Sequence, residues 1–250
     1  MVGQYSRFGD GGPYQSFIYS GGKTEDLIPG NFLSYPEGIN NRGQVTGWFT
    51  PVYAYESDGI LPGNTGSTHA FLYTAGKVQD LGTLGGTYSE GYSVNDLGDV
   101  VGLSSTPGDK SYEAFLYSNG KMRALGIPGF QPIRINDFGQ IFGNVPSGAV
   151  IYSGGKLHFL GTLPGTTSSA ITAVSALGQA VGNSNGVPFV YLNGKMYALN
   201  LVSDPGVVID RMTAINDFGQ IAAYGTVNGN TLTPHLFLLT PKWRLLPNLF

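Results

Sequence analysis

The sequence predicts an all-β chain, a β-propeller of four-stranded antiparallel blades. Three observations carry this: a repeat period near 40 residues, two tight-turn motifs in every period, and no stretch with a capped 3.6-residue apolar stripe. A β-sandwich also has short, evenly spaced strands, but nothing in it would make the sequence recur every four strands. The reading is six blades with one lacking its inner strand; five blades plus a packed remnant is the alternative.

The repeat is clearest between His69 and Ser104, HAFLYTAGKVQDLGTLGGTYSEGYSVNDLGDVVGLS. Its first anchor, Ile/Val-Asn-x-x-Gly-Gln/Asp, occurs at Ile39–Gln44, Val94–Asp99, Ile135–Gln140 and Ile215–Gln220, with a weaker copy at Val174–Gln179. The anchoring residues Gly43, Gly98, Gly139, Gly178 and Gly219 are 55, 41, 39 and 41 apart, the first step containing an insertion from Pro51 to Thr68. The second anchor is an aromatic-aliphatic run closing on Gly-Lys. It stands at Phe17–Lys23, Phe71–Lys77, Phe115–Lys121, Val150–Lys156 and Phe189–Lys195, and shortened at Phe237–Lys242.

Each unit divides into strands a, b, c and d, in the second unit near Gly91–Asn95, Asp99–Ser104, Ala70–Thr74 and Lys77–Leu81. Asn-Asp-x-Gly makes a tight a–b hairpin, since Asn and Asp favour turns and glycine supplies a positive φ. Ser-Gly-Gly and Ser-Asn-Gly do the same between c and d. Strand c is apolar on both faces, as expected of a sheet packed between two others. Met1–Ser6 matches strand b, so the chain enters inside a repeat, and six b, c and d strands meet five a strands. The whole is read as one repeat domain, with units near 1–28, 34–82, 89–126, 131–161, 169–200 and 209–250. The strand a missing from the first unit would leave a groove open to edge addition by a partner strand.

Composition narrows the function classes. Hydrophobic residues make up 41% and charged ones 12%, the latter well below the roughly 25% of average globular proteins. The net charge of −3 without a basic cluster argues against nucleic acid. No apolar run is long enough for membrane insertion, and no signal peptide is visible. The absence of cysteine excludes disulfides, thiol catalysis and thiolate metal sites. His69, His158 and His235 lack ligand spacing and no phosphate-binding glycine loop occurs, so no cofactor or metal is expected.

With these motifs in view, the repeat resembles the HAF-type extracellular repeat of bacterial proteins, named for the His-Ala-Phe seen here at 69–71. The match runs through Leu81–Gly86, Ser89, Val94–Gly98 and Val100–Ser104 and covers nearly the whole chain. It fades in the fifth and sixth units: Thr-Leu-Gly-Gly becomes Thr-Leu-Pro-Gly at 162–165 and is absent after Phe189. The resemblance implies a secreted or cell-surface location. It brings no activity, and its motif residues read as architectural.

An antiparallel meander puts the short a–b and c–d turns at one end of each blade and the longer, variable b–c and d–a links at the other. Variable loops on a rigid scaffold are where binding resides. Polar and aromatic residues gather there: Tyr35 and Glu37, Glu90 and Tyr92, Gln131 and Arg134, Ser169 and Thr172, Asp210 and Arg211. The insertion adds Tyr53, Tyr55, Glu56 and Asp58. Tyrosines with carboxylates and guanidinium groups suit sugars or polar small molecules. The leading reading is therefore a non-catalytic binding module, lectin-like or protein-binding, whose partner is a glycan or another surface protein. A polysaccharide lyase or hydrolase using Glu37, Glu90 or Asp210 is one alternative, although no carboxylate pair, metal cluster or nucleophile triad stands out. A structural array within a larger surface protein is another. The lysines at 23, 77, 121, 156, 195 and 242 read as guards of an outer edge strand. Asn95–Asp99 reads as a hairpin and not a calcium loop, and Ser184 as a turn residue and not a nucleophile.

Overall fold

Gly43, Gly98, Gly139, Gly178 and Gly219 adopt φ values of 74°, 85°, 72°, 81° and 73°. A left-handed residue at this point folds strand a back on strand b, and glycine takes that conformation without strain. The computed structural model describes residues 1–6, 14–29, 32–51, 55–56, 59–60, 66–199, 206–228 and 235–240, with backbone alone at 32, 51, 55, 56, 59 and 60.

The first sheet holds β1 (Val2–Ser6), β2 (Tyr14–Ser20) and β3 (Lys23–Asp26). The second holds β4 (Phe32–Ile39) and β5 (Val45–Pro51). After the short pair β6 (Tyr55–Glu56) and β7 (Gly59–Ile60), it continues with β8 (His69–Thr74) and β9 (Lys77–Gly82). The third is β10 (Ser89–Val94), β11 (Val100–Ser105), β12 (Tyr112–Ser118) and β13 (Lys121–Ala124). The fourth is β14 (Gln131–Ile135), β15 (Ile141–Val145), β16 (Gly148–Ser153) and β17 (Lys156–Phe159). The fifth comprises β18 (Ala170–Val174), β19 (Ala180–Ser184), β20 (Val187–Leu192) and β21 (Lys195–Ala198), and the sixth β22 (Val207–Ile215), β23 (Ile221–Val227) and β24 (His235–Leu239). Within every sheet, spatial order follows chain order, the meander of a propeller blade. Among the described residues the first sheet has no strand a, in line with the repeat count. The sixth has three strands among the described residues, and its expected strand d falls at 242–246, outside them. A single 3₁₀ turn, Pro107–Asp109, is the one helical element among the described residues.

The chain forms two compact units, residues 1–141 and 142–250. In the first, two apolar clusters fill the gaps between neighbouring sheets. Leu27, Ile28, Val45, Phe71 and Tyr73 join the first sheet to the second. Ala70, Leu72, Leu81, Val94, Val100, Phe115 and Tyr117 join the second to the third. In the second unit Ala173, Val181, Met212, Ile215, Ile221 and Ala223 do this between the fifth and sixth sheets. Strand c contributes to both faces because it is covered on both: Phe71, Phe115 and Phe189 are fully buried, each stabilising the fold by about 2–3 kcal/mol. The lysines at 23, 77, 121, 156 and 195 open the outermost strand of their sheets and are exposed, which fits the edge reading. Lys242 lies outside the described residues.

The Asn-x-x-Gly turns also join blades. Asn95 accepts from the backbone N–H of Leu97 at 3.1 Å and of Asp99 at 2.9 Å, closing its own hairpin. Its amide then donates to the carbonyl of Asn136, at the next sheet's hairpin, at 3.2 Å. Asn40 repeats the pattern, reaching the carbonyl of Asn95 at 2.7 Å. A second line runs beside it: Asn41 and Asp96 donate backbone N–H groups to Asp96 and Asp137 Oδ1, and in the second unit Leu177 donates to Asp217 Oδ1. Buried serines serve the other end of the blades. Ser89 Oγ accepts from the backbone N–H of Ala70 at 2.8 Å, and Ser34 Oγ from that of Ser16 at 2.9 Å.

Truncating Asn95 to alanine strands two hairpin N–H groups and a neighbouring carbonyl. Urea unfolding should show a loss of about 2–3 kcal/mol. Leu97→Ala, at the tip of the same turn and 67% exposed, should change stability by less than about 0.5 kcal/mol.

Candidate functional site

Four inner strands, β4, β10, β18 and β22, are interrupted at one equivalent place. The pairing register slips between Pro36 and Gly38, Gly91 and Ser93, Ile171 and Ala173, and Met212 and Ala214. The residues left out of register are Glu37, Tyr92, Thr172 and Thr213, and a further slip in the sixth sheet leaves out Asp210. A bulge frees one residue from the ladder and re-aims its side chain. Strand b is shaped to allow this close approach: a Cβ on Gly47 would overlap the carbonyl oxygen of Tyr35, and one on Gly102 that of Glu90. Glycine is required at both positions, directly across from residues of the candidate site.

In unit 1 these features gather Glu37, Glu90 and Tyr92 into one cluster. Glu90 Oε2 accepts the Tyr88 hydroxyl at 2.9 Å, and the Tyr92 phenol lies close enough to feel the charge of the same carboxylate. Burial and the neighbouring Glu90 charge push both phenols above their ordinary range. Glu37 retains solvent access as a residue. Desolvation of its carboxyl, and secondarily the charge of Glu90, holds its pKa above the usual carboxylate value. The sequence offered no carboxylate pair; the fold makes one, because residues 53 apart in the chain occupy adjacent inner strands. Tyr35, at the position equivalent to Glu90 one blade away, stacks on Trp48 with ring centroids 5.0 Å apart and planes 3° from parallel. Tyr14 meets Tyr35 edge-on at 6.4 Å, and Tyr112 meets Tyr88 edge-on at 5.7 Å.

The other expected residues are placed as follows. Gln131 is exposed at the start of β14, and Arg134 is half-buried, its Nε enclosed without a hydrogen-bond partner. In unit 2, Asp210, Arg211 and Thr172 line a small cavity of about 150 Å³. Ser169 is a structural residue: buried, it accepts from the Ala149 N–H and donates to the Gly161 carbonyl. Tyr53 and Asp58 lie outside the described residues, as do the side chains of Tyr55 and Glu56. Tyr14, Trp48, Tyr88 and Tyr112 were not singled out from sequence. Trp48 and Tyr14 face Tyr35 from strands b and c, so only the strand register could have indicated them.

His69 Nδ1 lies 2.8 Å from Asp80 Oδ2, and Asp80 also accepts from the Gly82 N–H, so this histidine ties strand c to strand d. Among the described residues no cluster of three or more metal-ligating side chains occurs, and no helix is long and apolar enough to cross a membrane.

No protein-family model and no curated protein matches the chain. Solved structures do. A puromycin-hydrolyzing peptidase from Mycobacterium tuberculosis superposes with a TM-score of 0.51 at 11% identity, over 94% of this chain and 44% of that one. TolB from Acinetobacter baumannii gives 0.45 at 13% identity, over 90% and 60%. A chain of a nidogen/laminin complex gives 0.46 at 9%, over 91% and 86%. The chain thus spans about 60% of the TolB length and less than half of the peptidase. At these identities the likeness is one of fold alone.

The raised pKa of Glu37 has a stability consequence. In the window between the ordinary glutamate value and its raised value, the folded protein binds the proton more tightly than the unfolded chain, so stability is greatest below that window and falls as pH rises through it. Glu37→Gln removes the charge that is disfavoured at neutral pH. Its melting temperature should exceed the parent's at pH 7, with the difference shrinking as pH is lowered towards 4.5.

Proposed function

We propose that the chain is a non-catalytic extracellular binding module of the HAF repeat type. It is lectin-like, and takes a saccharide at the ends of its inner strands nearest the long links. The observation that carries this reading is the unit 1 cluster: a carboxylate held by the Tyr88 hydroxyl with the Tyr92 phenol near it, a second carboxyl beside it, and the stacked Tyr35–Trp48 pair one blade away. Sugars offer hydroxyl groups that donate to carboxylates and C–H faces that pack on aromatic rings. A fixed Glu90 meets the first need without further ordering, because its rotamer is already held. Arg134, with its enclosed and unpartnered Nε, adds a charged donor to the same set of inner strands.

One observation favours a second reading, a polysaccharide-active enzyme on the same residues. A carboxyl that keeps its proton to higher pH, beside another carboxyl, is the arrangement that acid–base cleavage of glycosidic bonds uses.

Affinity electrophoresis through gels containing soluble polysaccharides, together with a glycan array, separates these readings. Trp48→Ala and Glu90→Gln should each weaken retention at least about tenfold, the loss of one well-made contact. Release of reducing ends by the parent, abolished in Glu90→Gln while retention persists, would replace the binding reading by the enzymatic one. An array without hits would remove both.

A further inference from the structure

A cleft of about 450 Å³ opens at the opposite, short-turn end of unit 1, between the first and second sheets. The next gap along is bridged: Gln79 on β9 donates to the Tyr117 hydroxyl at 2.6 Å and joins the second sheet to the third. The register puts Glu25 where Gln79 stands and Tyr73 where Tyr117 stands. A carboxylate accepts from a phenol, as Glu90 does from Tyr88, yet among the described residues no hydrogen bond joins Glu25 to Tyr73; both line the cleft.

The turn beside it also departs from its copies. At the tip of the Asn-x-x-Gly hairpin the other blades carry Leu97, Phe138, Leu177 and Phe218, exposed by 67%, 75%, 59% and 77%. The second sheet carries Arg42, which lines the cleft with Lys23. The tip is free of packing duty, so the arginine is not there to hold the fold. Among the described residues, Lys23, Arg42 and Glu25 form no ion pair, His69 with Asp80 being the pair present. Gln44 forms part of the wall, held by Asn40 and by Thr74 at 3.1 Å.

We propose that this cleft is a second binding site, for a hydroxylated monocarboxylate of the uronic acid class. Its volume lies within the roughly 300–1,000 Å³ of small-molecule sites. Arg42 offers the planar fork that matches a carboxylate, and Lys23 a second cation. Glu25 reduces the net lining charge to a single positive one, matching one carboxylate, and accepts a sugar hydroxyl. A phosphate dianion would leave a negative charge against Glu25. The site is independent of the inner-strand cluster, which lies at the other end of the blades.

Calorimetric titration at pH 7 and low salt with glucuronate, glucose, acetate and inorganic phosphate tests the assignment. Glucuronate should bind, with glucose, acetate and phosphate each at least about tenfold weaker. Arg42→Leu, which installs the residue of the Leu97 turn, should cut glucuronate affinity at least about tenfold with the melting temperature unchanged. Glu90→Gln should leave glucuronate binding intact, separating this site from the other cluster. Equal binding of glucuronate and acetate, or of glucuronate and phosphate, overturns the proposal. So does undiminished binding by Arg42→Leu, or no glucuronate binding at all.

Discussion

From the second sheet to the fourth, the blades are tied by one side chain used twice: the asparagine of the a–b hairpin. In Asn40 and Asn95 the side-chain carbonyl oxygen closes its own turn and the amide reaches the next sheet's backbone, while Asn136 and Asn216 close their own turns in the same way. A blade cannot bury both faces alone, and apolar packing between blades is not directional. Packing would tolerate sliding of one sheet over its neighbour. A hydrogen bond of fixed length from turn to turn does not. Asn95 is 2% exposed, so losing one partner leaves the others unsatisfied away from water. Ser34 and Ser89 fix the opposite ends of the blades in unit 1 by the same logic.

With both ends pinned, the middle of each inner strand can carry irregularity. The bulges at Glu37 and Tyr92 would weaken an isolated hairpin by removing a ladder pair. Here the strand is held on either side, and the strand b glycines make room for the displaced carbonyl. The site residues are therefore placed by backbone geometry before any side chain contributes. Glu90, held by the Tyr88 hydroxyl, and Glu37, desolvated and beside Glu90, differ in environment although they are the same residue type on neighbouring strands. That difference, and not the mere presence of acid, gives the cluster chemical character.

The architecture was legible because its signals are local and repeated. Asn-x-x-Gly gives the a–b turn, Gly-Lys the c–d turn, and the roughly 40-residue step the blade. Glu37, Glu90 and Tyr92 were legible for the opposite reason, as positions where aligned copies disagree. Trp48, Tyr88 and Tyr14 were not: each enters the site through register and inter-strand contact, and Tyr14 and Tyr88 are two among 15 tyrosines. Ser169 misled because it is polar and sits near a strand opening. Its environment, a backbone N–H on one side and a carbonyl on the other, is visible only in three dimensions. The double use of the turn asparagine was also hidden, since a turn alone explains its recurrence.

Departures from the repeat thus carry different meanings at the two ends of a blade. At the long-link end many positions vary, and variation by itself singles out no residue; the bulge does that. At the short-turn end the Asn-x-x-Gly frame recurs in four of the five hairpins, so a departure at the turn tip is easier to single out. An exposed leucine or phenylalanine at the turn tip gains nothing from burial, and the fold would accept a polar residue in every copy. One copy alone carries arginine at the turn tip, Arg42. The strand d position of Glu25 differs in every copy, with Gln79, Arg123, His158 and Tyr197 at the equivalent places, so Glu25 is singled out by sharing a cleft with Arg42 and Lys23 and not by its difference from Gln79. The recurrence of apolar residues at the other turn tips is what makes Arg42 informative.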